Sequence, residues 1–106
     1  MILEDLQEHI KIKPACLVYF SGENCGVCKA LQPKIKEAVT VNFPKIEQYY
    51  LDASQHQDIA IKFSIFSVPT VLVFLDGKEV MRKGRNISIS QFIQELKRPY
   101  SLFFED

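Results

Sequence analysis

The sequence predicts an α/β protein, a three-layer α/β/α sandwich with a central four-stranded mixed sheet. Two six-residue runs without a charge, residues 15–20 and 70–75, are typical of strands that are buried on both faces. Four other segments repeat apolar residues at helical spacing and lie before, between or after the predicted strands. Asp76-Gly77 follows the second run and favours a tight hairpin, so we expect the last two strands to pair antiparallel.

The chain begins with a predicted helix and a predicted strand. Leu3, Leu6 and Ile10 are spaced for a short amphipathic helix, which should stop at Pro14. Residues 15–20 follow directly and contain no charged side chain. Because such a run is typical of an interior strand, we expect it at the centre of the sheet.

A second, longer helix should open near Cys25 and run to about Val41. Pro33 lies inside it and should kink it, because proline removes an amide donor and crowds the preceding turn. The apolar positions at helical spacing are Cys28, Leu31, Ile35, Ala38 and Val39. They predict one buried face along the helix.

The middle of the chain predicts a second strand and a short helix. Residues 45–51 alternate as a strand does, with Tyr49 and Leu51 on one face and Tyr50 on the other. Residues 57–63 then have the apolar spacing of a short helix. An irregular segment separates this helix from the strand at residues 70–75.

The last third of the chain predicts a hairpin and a final helix. Residues 78–83 supply the returning strand, and Gly84 ends it. Ser88 and Gln91 have capping-box spacing, so the helix should start there, and Pro99 should close it. We therefore expect one domain over residues 1–106, with residues 99–106 as a short extension. This extension is apolar, so folding back onto the domain is favoured over a dimer or partner contact.

Composition limits the possible classes of function. The chain has 106 residues, 47% of them hydrophobic, and its 13 basic and 13 acidic side chains cancel. We therefore expect no binding to nucleic acid or to a membrane. A monomer is the expected oligomeric state. The longest charge-free stretch, residues 63–75, is too short to span a bilayer, and the first residues lack a secretory signal. A cytoplasmic location is the expectation.

Cys25-Gly26-Val27-Cys28 is the motif that indicates chemistry. It lies where a predicted buried strand meets a predicted helix, and the free amides and dipole of a helix start stabilise a thiolate. Cys25 would be the exposed nucleophile, and Cys28 is close enough in sequence to resolve a mixed disulfide. Gly26 would let the backbone bend without a side-chain clash.

A zinc site is the alternative interpretation of this motif, and it would need further ligands. Cys16, His9 and His56 are the other candidates, and none has a companion at ligand spacing. Cys16 lies inside a predicted buried strand and is interpreted as a small core residue. The two histidines are expected to be solvated. An odd count of three cysteines also argues against a disulfide scaffold.

With these motifs in place, the chain resembles the thioredoxin family from Leu3 to about Lys97. The residues that carry the resemblance are Phe20, Cys25-Gly26-Val27-Cys28-Lys29, Pro33, Val68-Pro69-Thr70, Asp76-Gly77 and Gly84. The resemblance implies a thioredoxin fold and a thiol-disulfide oxidoreductase that needs no metal and no cofactor beyond its redox-active disulfide. It also implies disulfide-containing protein substrates and a dithiol electron donor such as a thioredoxin reductase.

The resemblance further implies a set of site residues. Cys25 and Cys28 would be catalytic. Pro69 would be cis and lie beside the cysteine pair, and substrate segments would bind the backbone at Val68. The substrate-binding residues implied in this way are Asn24, Gly26, Val27, Val68, Pro69 and Gly84.

The sequence departs from the family pattern beside the cysteines. It has no tryptophan, so Asn24 stands before Cys25, and Val27 replaces a proline and restores an amide donor that could stabilise the Cys25 thiolate. The family's buried aspartate and its lysine partner align with Tyr19 and Tyr50. A tyrosine is a poor base at neutral pH, so packing with bonded hydroxyls is the favoured interpretation of both. Water or a carboxylate such as Glu23 would then take the proton of Cys28.

Three basic residues, Arg82, Lys83 and Arg85, bracket Gly84. They would favour acidic partners or stabilise the Cys25 thiolate, although a solvated, charge-protected edge strand is the preferred interpretation. The leading prediction of function is a reductant of protein disulfides. Two alternatives stay open: a disulfide oxidant or isomerase, and a binding or redox-sensing module with little turnover.

Overall fold

The fold is taken from a computed structural model that describes residues 1–105. The helices within that range are α1 (Leu3–Ile12), α2 (Gly26–Asn42), α3 (Gln57–Lys62) and α4 (Ile89–Phe104). The strands are β1 (Ala15–Ser21), β2 (Glu47–Asp52), β3 (Thr70–Leu75) and β4 (Lys78–Lys83). The predicted order of elements is confirmed. The ends of most elements fall within two residues of those predicted, and the end of α4 is the exception.

The four strands form one mixed sheet in the order β2-β1-β3-β4. β1 pairs with β2 in parallel, with Tyr19 opposite Tyr50, and it pairs with β3 antiparallel, with Phe20 opposite Thr70. β3 and β4 form the antiparallel hairpin. The prediction that β1 is an interior strand is therefore confirmed.

Alternate side chains of β1 enter two separate cores, one on each face of the sheet. Leu17 and Tyr19 pack with α2 and α4, whose buried side chains there include Ile35, Val39, Phe92 and Leu96. Cys16, Val18 and Phe20 pack with α1 and α3, whose buried side chains there include Leu6, Ile10 and Ile59. Helices thus cover both faces of the sheet, and the predicted three-layer sandwich is confirmed.

The final helix does not stop at Pro99, and that prediction is wrong. Ser88 caps the helix start as expected, accepting a hydrogen bond from the Gln91 amide, but α4 continues through Pro99 to Phe104. A proline inside a helix costs about 3 kcal/mol. Burial of Tyr100 offsets this cost, because its ring packs 5.0 Å from that of Phe43 and its hydroxyl accepts from the Lys45 amide at 3.1 Å. Residues 99–104 of the predicted extension are therefore the end of α4.

The sequence predicts the burial of Cys16 correctly but not that of the two histidines. Cys16 is fully buried, as expected, and burial raises its pKa to about 11. Its thiol faces the carbonyl oxygen of His9 at 3.7 Å. His9 and His56 are half-buried rather than solvated, because the ring of His9 packs against Tyr49 and the Nδ1 of His56 lies 3.0 Å from the carbonyl of Asp52.

Candidate active site

The two cysteines of the motif are joined in a disulfide at the start of α2. Cys25 is the residue that caps the helix, and the amide of Cys28 donates to its sulfur at 3.2 Å. The Cα atoms of the pair lie 5.2 Å apart. In this oxidised state the amide that donates to the Cys25 sulfur belongs to Cys28 and not to Val27.

The two sulfur-bearing residues differ in exposure. Cys28 is buried, with 1% of its surface exposed, whereas Cys25 is half-buried. Val27 stands beside them with 43% of its surface exposed. A large substrate can therefore approach the Cys25 side of the disulfide far more readily than the Cys28 side.

The loop between β1 and α2 makes its turn at Asn24. Asn24 has a φ of 55°, in the left-handed region, which asparagine tolerates better than most residues. Gly26 is different from what the sequence predicted, since a Cβ there would meet no atom within 4 Å and its φ is not left-handed. The bend that leads to the cysteines therefore depends on Asn24.

The segment before β3 packs against this loop. The Val68–Pro69 peptide bond is cis, as the resemblance implied. A Cβ added to Gly22 would lie 2.8 Å from Cγ2 of Val68, so only glycine allows the two segments to come this close. Gly22 is thus a further residue that positions the site, and the one signal for it in the sequence is its place directly after a buried strand.

A shallow basin lies beside this segment. It has a volume of about 260 Å³, and the residues that line it include Gly84, Thr70, Phe66 and Arg82. Gly84 is exposed, and a Cβ there would meet no atom within 4 Å. Gly84 therefore shares this basin with the segment that leads to Val68.

Two tyrosines lie below the disulfide, at the positions of the family's charged pair. Tyr19 is completely buried, and its hydroxyl donates to the backbone carbonyl of Cys28 at 2.8 Å. The hydroxyl of Tyr50 donates to the side-chain oxygen of Gln48, and the two tyrosine rings are 5.6 Å apart. Burial raises the pKa of Tyr19 above its ordinary value and that of Tyr50 to about 12. Both side chains therefore stay neutral at physiological pH, in agreement with the packing interpretation.

Phe66 is the prominent surface feature that the sequence analysis missed. This residue is 93% exposed and lies two positions before Val68. It borders the basin described above and also a groove of about 370 Å³ that is lined mainly by apolar side chains, among them Ile61 and Ile65. No sequence pattern distinguishes Phe66 from the half-buried Phe63 and the buried Phe74, because its exposure follows from the irregular backbone of the segment.

Residues 1–105 lack both a metal-binding cluster and a membrane-spanning helix. This part of the chain brings no three histidine, cysteine or acidic side chains together as a metal-binding group. It also contains no helix with the length and apolar character needed to cross a membrane.

Comparisons with known proteins agree with this geometry. The family model described as thioredoxin matches residues 3–98. The thioredoxin-like protein YdfQ of Bacillus subtilis is 35% identical over 101 residues, which is 95% of this chain and 89% of that protein. Thioredoxin of Chlamydia muridarum is 41% identical over 66 residues, covering 62% of this chain and 64% of that one. The structure of Fasciola hepatica thioredoxin superimposes with a TM-score of 0.72 at 28% identity, covering 92% of this chain and 90% of that one.

The mixed sheet, the helices on both of its faces and the cysteine pair define a thiol-disulfide oxidoreductase. The chain belongs to the thioredoxin family. Members of this family need no cofactor beyond their redox-active disulfide.

Proposed function

We propose that this oxidoreductase reduces disulfides in other proteins, with Cys25-Gly26-Val27-Cys28 as its active-site motif. Cys25 attacks and Cys28 resolves. The observation that carries the proposal is the difference in exposure within the pair, since Cys28 is 1% exposed and Cys25 is half-buried. The position of Cys25 at the helix start adds to it, because the free amides and the helix dipole there stabilise a thiolate.

The proposed reaction transfers two electrons from the protein to its substrate. The Cys25 thiolate attacks one sulfur of the substrate disulfide, forms a mixed disulfide, and releases the other substrate sulfur as a thiolate that takes a proton from water. Cys28 then loses its proton and attacks the sulfur of Cys25, which releases the second substrate thiol and leaves Cys25 and Cys28 oxidised. A reductase-type dithiol donor returns two electrons and two protons to the pair.

The buried tyrosines suggest where the proton of Cys28 goes. Tyr19 is neutral and already donates to the Cys28 carbonyl, so it is a poor base for the thiol. Water, or an exposed carboxylate such as Glu23 in the loop before Cys25, is the acceptor in this proposal. The cytoplasm is the proposed location, because a dithiol donor has to keep the pair reduced.

The reduction potential of the pair tests the direction of the reaction. We expect a value near the figure of about −270 mV that is typical of thioredoxins. The protein would be equilibrated in graded dithiol buffers, and its alkylated thiols would be counted by mass. A potential above about −200 mV would contradict the proposal and favour an oxidant or isomerase. Failure of the pair to form a disulfide at any poise would favour a binding module.

The exposure of the Phe66 ring favours proteins over small disulfides as substrates. Replacing Phe66 with serine should remove about 1–2 kcal/mol of apolar contact with a protein substrate, part of what full burial of a phenylalanine is worth. We therefore expect kcat/KM for a protein disulfide to fall about 5- to 30-fold. The rate with a small disulfide such as oxidised glutathione should stay unchanged, because it carries no apolar side chain that the Phe66 ring could bury.

Val41→Ser is the matched control for Phe66→Ser. Val41 is 71% exposed, but it lies at the end of α2 that is remote from the cysteines. The control should leave both rates unchanged. Equal losses on the protein and on the small disulfide in Phe66→Ser would mean that the ring does not recognise protein substrates.

A further inference from the structure

The side chain of Arg85 reaches the backbone directly before the cis-proline. Its Nη2 donates to the carbonyl oxygen of Val68 at 3.3 Å, from the loop that follows β4. Val68 lies beyond the last pairs of the sheet on this side, which are Phe20 with Thr70 and Val71 with Lys83. Its carbonyl therefore has a cationic side chain as a partner in place of a neighbouring strand.

Arg85 differs from the two basic residues that precede it. Arg82 forms an ion pair with Glu79 at 2.8 Å and also donates to two backbone carbonyls. Lys83 forms an ion pair with Glu95 at 2.6 Å. Arg85 is exposed, and among residues 1–105 no carboxylate lies within ion-pair distance of it. Of these three charges, that of Arg85 is the one left to attract a partner.

An extended segment that approaches the disulfide would compete with this guanidinium. Gly22, in the loop that carries Cys25, packs against the side chain of Val68, so this carbonyl belongs to the segment that borders the active-site loop. Extended peptides bind to unpaired strand-like backbone through main-chain hydrogen bonds. Such a segment competes with Arg85 for the Val68 carbonyl, and a guanidinium N–H that is displaced can bind an acceptor on the segment.

We propose that Arg85 selects substrate segments that carry a carboxylate beside the disulfide cysteine. A carboxylate offers the displaced guanidinium a charge-assisted hydrogen bond. Beside a neutral residue the guanidinium is hydrated instead, and a basic residue repels it. Arg85 is therefore a specificity-determining residue for acidic segments. This inference rests on the proposed function, since it names the class of substrate for the same site.

Peptide disulfides that differ in one residue test the proposal. Three extended peptides carry a single cysteine, protected as a mixed disulfide with the same small thiol, next to glutamate, glutamine or lysine. The pre-reduced protein reacts with each in a single turnover, so that no recycling enzyme is needed. We expect the glutamate peptide to react about 3- to 10-fold faster than the lysine peptide at low salt, since exposed ion pairs are weak. Added salt should reduce the ratio.

Variants then separate the charge of Arg85 from general effects. Arg85→Gln should bring the glutamate-to-lysine ratio close to one, and Arg85→Lys should keep most of it. Lys78→Gln is the control, because it removes a positive charge from the end of β4 remote from Gly84 and should leave the ratio unchanged. A ratio that Arg85→Gln leaves as in the wild type, or a wild-type protein without any preference, would overturn the proposal. If the wild-type protein reacts with none of the peptides, the proposed function itself fails, which is a separate outcome.

Discussion

Replacing Cys25 with serine is expected to abolish disulfide reduction, whereas replacing Cys28 with serine should stop the reaction one step later. Without Cys25 the reduced protein has no accessible thiol at the site, since Cys28 is buried below it. With Cys28→Ser, the more accessible Cys25 still attacks, but no thiol remains to resolve the product. The mixed disulfide with the substrate should therefore accumulate in Cys28→Ser and be absent from Cys25→Ser.

Mass spectrometry under non-reducing conditions, after mixing each reduced variant with a protein that has one exposed disulfide, distinguishes these outcomes. Cys16→Ala is the control, because Cys16 is buried in the opposite core and its pKa is raised to about 11. This variant should turn over normally. A mixed disulfide trapped in Cys25→Ser but not in Cys28→Ser would reverse the proposed roles.

Tyr19→Asp is expected to destabilise the protein severely at neutral pH. The change returns the family's carboxylate to a position that is completely buried, next to Tyr50 in place of a lysine. It also removes a large side chain from the core and the hydrogen bond to the Cys28 carbonyl. We expect a loss of about 4–6 kcal/mol, close to the whole stability of a small domain.

The loss should depend on pH in a defined direction. Burial raises the pKa of a carboxyl, so the folded variant keeps a proton that the unfolded chain has released above about pH 4. The folded state then binds more protons than the unfolded state, and stability falls as the pH rises. Urea unfolding at several pH values between 4 and 8 would measure this dependence. A variant that is as stable at pH 8 as at pH 4 would show that the carboxylate is solvated.

Two further variants separate the causes of this loss. Tyr19→Phe keeps the ring and removes the hydrogen bond to the Cys28 carbonyl, so it should cost only about 1 kcal/mol. The double change Tyr19→Asp with Tyr50→Lys supplies a partner for the carboxylate. We expect it to be more stable than Tyr19→Asp alone, because an unpaired buried charge costs more than a paired one.

The sequence predicted the order of elements well because the two inner strands, β1 and β3, carry no charge and bury both faces. The same reasoning failed at Pro99. Local rules end a helix there, but the burial of Tyr100 against Phe43 is a contact between residues far apart in sequence, which no local pattern reveals. Tertiary packing overrides the local preference at this position.

The candidate site likewise contains some residues that the sequence identifies and others that it does not. The cysteine pair is identifiable from its local motif and Pro69 from the family resemblance, and the structure places their segments in contact. Gly22 and Phe66 were not identified, because their importance depends on which segments meet in space. Arg85 was noted as one of three basic residues, but its contact with Val68 depends on the return of the chain after β4.

The neutral tyrosines below the disulfide also affect how the protein responds to acidity. Tyr19 and Tyr50 keep their protons throughout the physiological range, because burial raises the pKa of both. They therefore contribute no buried charge that switches on or off beneath the disulfide. The pH dependence of the reduction potential should therefore come from the two thiols themselves, without a contribution from these buried side chains.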